Sequence, residues 1–215
     1  MMMEENSSKK VLLSVLGVAI LVVAVVGISF AAFSATKVSD ENTISTGTIS
    51  MSYSEPTNGI ELIDALPMSD DKGKELSGAV DGKNQTFEFT VSTNTSAALN
   101  IPYEISVTPV AITTTDTLGA LTDKQVKVHL TKNGTEVVAP TLVDSLAATS
   151  VAGRNGSKTL YTTIDEHTGN DVINTSYVLR MWIDNAVSVD DITANGKSYE
   201  YRLKVNVDAA VAPLA

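Results

Sequence analysis

The chain has no cysteine. Disulfides, thiolate nucleophiles and Cys-ligated zinc are therefore excluded. For an exported protein this fits a Gram-positive-type exporter better than a disulfide-rich secreted domain. Aromatic residues are few, at 5%. Cations are scarce: 15 Lys and Arg stand against 25 Asp and Glu, for a formal charge of −10. A surface of that sign repels phosphate backbones and offers no basic patch to anionic lipid, so nucleic acid is not an expected partner.

What is present first is one long apolar run. Lys9 and Lys10 precede an uncharged stretch from Val11 to Thr36. Basic residues followed by an apolar run are an export signal, because the charged end stays in the cytoplasm. Ser29 and Ala31 put small residues where a signal peptidase requires them, with cleavage between Ala31 and Ala32. The run to Phe33 is also about 23 residues long, enough to cross a bilayer as an uncleaved anchor. Length fits the anchor and the small residues fit cleavage. Either way residues 32–215 lie outside the cytoplasm, secreted or on the cell surface.

Beyond the run, short segments alternate apolar and polar side chains. They are Thr48–Ser54, Thr86–Thr93, Ile101–Thr108, Gln125–Thr131, Tyr177–Asp184 and Tyr199–Val207. Period-two alternation means strands with one buried face. The inward set is expected to include Phe87, Phe89, Val91, Leu179, Met181, Leu203 and Val205. Asn133-Gly134 reads as a tight hairpin. Asn155-Gly156 is a further turn, Ala147–Lys158 reads as a flexible loop, and Asp116–Asp123 could hold a short helical turn. Eight or nine such strands predict an all-β fold, an antiparallel two-sheet sandwich of jelly-roll type behind an N-terminal export helix. The expected divisions are 1–31 as signal peptide or anchor, 32–58 as an extended segment with the first strand, and 59–215 as the sandwich.

Candidate chemistry is thin. Neither His129 nor His167 lies in the helical H-E-x-x-H arrangement of zinc proteases. His129 alternates with Val128 and Leu130 and reads as a surface strand residue. Asp165, Glu166, His167 and Asp171 could offer metal ligands, but they read as a solvated turn. Asp70-Asp71-Lys72-Gly73 has too few ligands in register for an EF-hand loop. Gly153–Thr159 has the wrong glycine spacing for a phosphate loop. No serine sits in a nucleophile elbow. Arg180 and Trp182 share a strand face and read as a stacked cation–π pair. No catalytic, cofactor or metal site is expected, and the chain is not expected to be an enzyme.

Residues 29–54 carry a recognisable pattern: Ala32-Phe33-Ser34 after the small-residue site, then Asn42-Thr43-Ile44-Ser45-Thr46-Gly47-Thr48-Ile49. This resembles the start of the TasA and camelysin-like family of exported Gram-positive proteins. Leu62 to Pro67 before the Phe87–Val91 strand, and the strand Tyr199–Val207, follow the family's pattern loosely. The resemblance implies processing by a dedicated signal peptidase, a jelly-roll fold and, for some members, assembly into biofilm-matrix fibres on the cell envelope. In such fibres the N-terminal segment inserts as a strand into the next subunit, giving a head-to-tail homopolymer. Mapped here, self-association would involve Phe33, Asn42, Ile44, Gly47, Thr48 and Ile49. Pairing of that segment within its own domain is the other reading. A membrane-anchored adhesion module and a camelysin-like exported metalloprotease are the alternative functions.

Overall fold

The computed structural model describes residues 47–53, 59–78, 85–190 and 197–210. The chain divides into two compact units, Met1–Ile44 and Ser45–Ala215. The apolar run, the Ala31/Ala32 site and Phe33, Asn42 and Ile44 lie outside the described residues. Among the described residues no helix is long and apolar enough to cross a membrane.

The described part is an all-β sandwich. In the first sheet β1 (Thr48–Tyr53) pairs with β4 (Thr86–Thr95), then follow β10 (Asp171–Asp184), β7 (Val126–Lys132) and β8 (Thr135–Leu142). The short β3 (Pro67–Met68) runs parallel to the end of β10. The second sheet has the order β2 (Gly59–Ile63), β11 (Ser198–Ala209), β5 (Asn100–Val110) and β9 (Lys158–Glu166). Here β6 (Leu118–Ala120) runs parallel to the start of β11. All other pairings are antiparallel.

Each of the six segments picked out by alternation is a strand: β1, β4, β5, β7, β10 and β11. The alternation works because every second side chain enters the space between the sheets. Phe87, Phe89 and Val91 on β4 and their neighbours Leu179 and Met181 on β10 enter that space from the first sheet, Leu203 and Val205 on β11 from the second, and all seven are buried. Each such side chain contributes roughly 1.5–3 kcal/mol by leaving water. The hairpin at Asn133-Gly134 joins β7 to β8, with φ of 48° and 81° at the two residues. Positive φ at both central positions is the type I′ turn that matches strand twist. Asn133 also anchors the neighbouring strand, since its Oδ1 accepts from the Ser176 N–H at 3.0 Å.

Two local expectations are corrected, and one short helix is added. Residues 118–120 form β6 and not a helical turn. They are added to the sheet through Ser198–Glu200, a pairing invisible to local sequence. Asp70–Lys74 is a short helix, α1, and Asp70 is engaged by Lys127 at 2.9 Å. The Ala147–Lys158 segment is tied to the second sheet by side-chain bonds from Thr149 and Arg154.

Helix α1 sits on the outer face of the first sheet. Gly73 is buried there, and a Cβ added to it would lie 2.3 Å from the Trp182 ring. The indole is fully buried and belongs to a central strand, so it has nowhere to retreat. Gly73→Ala is expected to destabilise the fold by about 1–3 kcal/mol through overpacking. A lowered urea midpoint would show this; an unchanged midpoint would mean that α1 lifts away without loss.

Candidate functional site

The one described part of the candidate self-association segment is Gly47, Thr48 and Ile49. β1 is an edge strand bonded to β4, with Thr48 opposite Asn94, Ile49 opposite Thr93 and Met51 opposite Val91. Ile49 and Met51 are half-buried against the core, while Thr48, Ser50 and Ser52 are exposed. Gly47 passes close to the second sheet: a Cβ there would meet Ile101 Cδ1 at 2.5 Å. The strand therefore pairs within its own chain here, through one ladder and a narrow apolar face.

Behind Ile49 lies a buried polar network. The Thr93 hydroxyl donates to Asp165 Oδ2 at 2.7 Å. Its single proton is thereby used, so His167 Nε2, 3.0 Å away, donates to Thr93 Oγ1. His167 Nδ1 bonds Asp171 Oδ1. Lys132 Nζ lies 3.9 Å from Asp165 Oδ1 and donates to Thr163 at 3.2 Å. Asp165 and His167 are thus interior groups and not a solvated turn; the β9–β10 connection folds His167 back under β4. The order Asp171, His167, Thr93 resembles a nucleophile relay, but Thr93 is 0% exposed and its proton is held by Asp165. The network closes the end of the sandwich. Among the described residues no group of three or more His, Asp or Glu could hold a metal ion. Nearby, Tyr103 and Tyr177 join the sheets through hydroxyls 2.7 Å apart. Burial pushes the Tyr103 hydroxyl up to about 12, and Tyr177 is raised further by burial and by that bond.

The outer face of the first sheet corrects two further readings. His129 faces outward, as its alternation implies, yet is buried; the Glu136 side chain of the neighbouring β8 bonds it and pairs in turn with Lys74 of α1. Its Nε2 lies 3.0 Å from Glu136, and its Nδ1 has no partner. Burial and the adjacent Arg180 lower its pKa, while Glu136 opposes them. Arg180 does not stack on Trp182: it donates to the Leu76 carbonyl at 2.8 Å, and the indole packs under Gly73.

On the outer face of the second sheet, the 147–157 segment lies over β5 and β11. Arg154 donates to Asp208 at 2.8 and 2.7 Å and to Asn206 at 3.2 Å. Ser157 bonds Thr108 at 2.7 Å. Glu104 accepts at Oε1 from Thr149 and, at 3.2 Å, from Thr159. Beside this layer opens a pocket of about 900 Å³, lined among others by Glu104, Pro102, Val151, Thr162 and Ile164. Sequence reasoning did not find Glu104. It reads as one more solvent-facing residue of an alternating strand, and its cover comes from a segment 45 residues away.

Two outcomes test these assignments. Thr93→Val keeps the shape but leaves Asp165 Oδ2 and His167 Nε2 buried without that partner, so a loss of about 1–3 kcal/mol is expected by chemical denaturation. For His129 the folded pKa lies below the ordinary value near 6.5, so the unfolded chain takes up the proton first. Its contribution is complete above about pH 6.5 and is lost as the pH falls through the folded value. His129→Gln is expected to flatten the decline in urea midpoint between about pH 7 and pH 5 relative to the parent; parallel profiles would refute it. No protein-family model matches the chain, and no curated protein matches it significantly.

Proposed function

We propose that this chain is an exported structural protein, a TasA-like subunit of extracellular fibres or surface matrix, that assembles head-to-tail by strand donation. The sandwich would serve as a jelly-roll body, and the segment from Ala32 to about Ile49 as the donor. The observation that supports this is the place of β1. Among the described residues it is an edge strand bonded to β4, and Ile49 and Met51 are its side chains packed half-buried against the core. The ladder it forms with β4 has the same hydrogen bonds whether β1 comes from the same chain or from another copy. Exchange therefore changes little in enthalpy, and the balance is set by concentration and by the ordering entropy of the donor, roughly 1–2 kcal/mol per residue. One donor and one acceptor per subunit make a heterologous contact, which propagates as an open filament.

The test begins with the extracellular protein. Its first residue is expected to be Ala32, and Ala31→Leu should hold the longer form on the membrane. The secreted protein is then compared with a version truncated before Thr48, by sedimentation and negative-stain microscopy. Filaments are expected from the longer form only. If both forms stay monomeric at high concentration, or both give the same filaments, strand donation by this segment is wrong.

A further inference from the structure

We propose that the pocket on the outer face of the second sheet binds a primary ammonium group carried on an aliphatic stem, with Glu104 as its counter-ion. This goes beyond the assembly reading and does not depend on it. Glu104 is 5% exposed, a level of burial that a carboxylate tolerates only with compensation. Its Oε1 is occupied by the hydroxyls of Thr149 and Thr159. Among the described residues its Oε2 accepts no hydrogen bond, and no cation pairs with it. Arg154, on the segment that covers Glu104, is committed to Asp208 and Asn206. Asp208 stands directly opposite Glu104 in the β5–β11 register, so two carboxylates lie side by side; Arg154 pairs with Asp208 and leaves the charge on Glu104 over. The net charge of −10 adds to the pull on cations.

The geometry selects among cations. One carboxylate oxygen with the other already saturated cannot grip a guanidinium through two parallel bonds. A divalent ion needs several oxygen ligands, and the described residues hold no group of three acidic or histidine side chains suited to one. An ammonium has three donors. Oε2 can take one, and the Thr162 and Ser150 hydroxyls on the pocket wall can take the others. The remaining wall, with Ile164, Val151 and Pro102, suits methylene groups. Two sources carry this chemistry: a free alkylamine, and the lysine side chain of a protein.

The experiment follows backbone amide resonances of the isotope-labelled full chain in detergent during titration. The probes are n-pentylamine, 1-pentanol and Nα-acetyl-lysine N-methylamide. Pentylamine is expected to shift Thr162, Val151 and Ala210, with pentanol at least about tenfold weaker. Glu104→Gln keeps an acceptor for Thr149 and Thr159 and should weaken the amine about tenfold or more while the rest of the spectrum stays in place. Ala210→Trp narrows the pocket with Glu104 intact and should weaken the amine too, which covers the case of a misfolded Glu104 variant. Tighter binding of the lysine amide than of pentylamine supports a protein lysine as the natural ligand; the reverse supports a free amine. The proposal is overturned if millimolar amine causes no shift, or if pentanol and pentylamine bind alike and Glu104→Gln changes neither.

Discussion

Tyr177 holds the two sheets in register. Its ring stacks on Phe89 of the neighbouring strand at 5.3 Å, and its hydroxyl meets Tyr103 of the opposite sheet at 2.7 Å. A buried phenol needs a hydrogen-bond partner, and each tyrosine supplies the other's. That requirement sets where β5 can lie across from β10. Once it is met, Leu179, Met181 and Ile183 follow inward along β10, and Ile105 and Val107 along β5.

The two outer faces are finished by different means. On the first sheet, α1 places a glycine against the Trp182 ring, and the Leu76 carbonyl receives the Arg180 guanidinium. On the second, the 147–157 segment is pinned by Arg154 on Asp208 and by Thr149 on Glu104. Both covers bury polar side chains on the solvent-facing rows of otherwise ordinary strands. Burial leaves some groups without partners: His129 Nδ1, Trp182 Nε1 and Ser106 Oγ. Glu104 differs from them: it is a buried carboxylate that borders an open pocket, which is why its surroundings bear on binding and the others bear on stability.

β1 stands apart from both arrangements. Among the described residues its half-buried side chains are Ile49 and Met51, and it closes one edge over Thr93, whose hydroxyl already belongs to the network with Asp165 and His167. The network does not include a β1 side chain, so the end of the sandwich is sealed by groups from β4, β9 and the β9–β10 connection.

The sequence by itself determined the strands that bury a full row of alternate side chains. Phe87, Phe89 and Val91, or Leu203 and Val205, reveal their strand because the period of the pleat is written in the chain. It also determined the Asn133-Gly134 hairpin, because that dipeptide suits positive φ at both positions. Tertiary structure alone decided the short strands β3 and β6, which exist only through partners more than 70 residues away. It likewise decided which solvent-facing rows stay wet. Alternation tells which face of a strand a side chain occupies, but not whether a distant segment later folds over that face. His129 and Glu104 are buried for that reason, and His167 because its own connection folds under β4; no local pattern could have marked them.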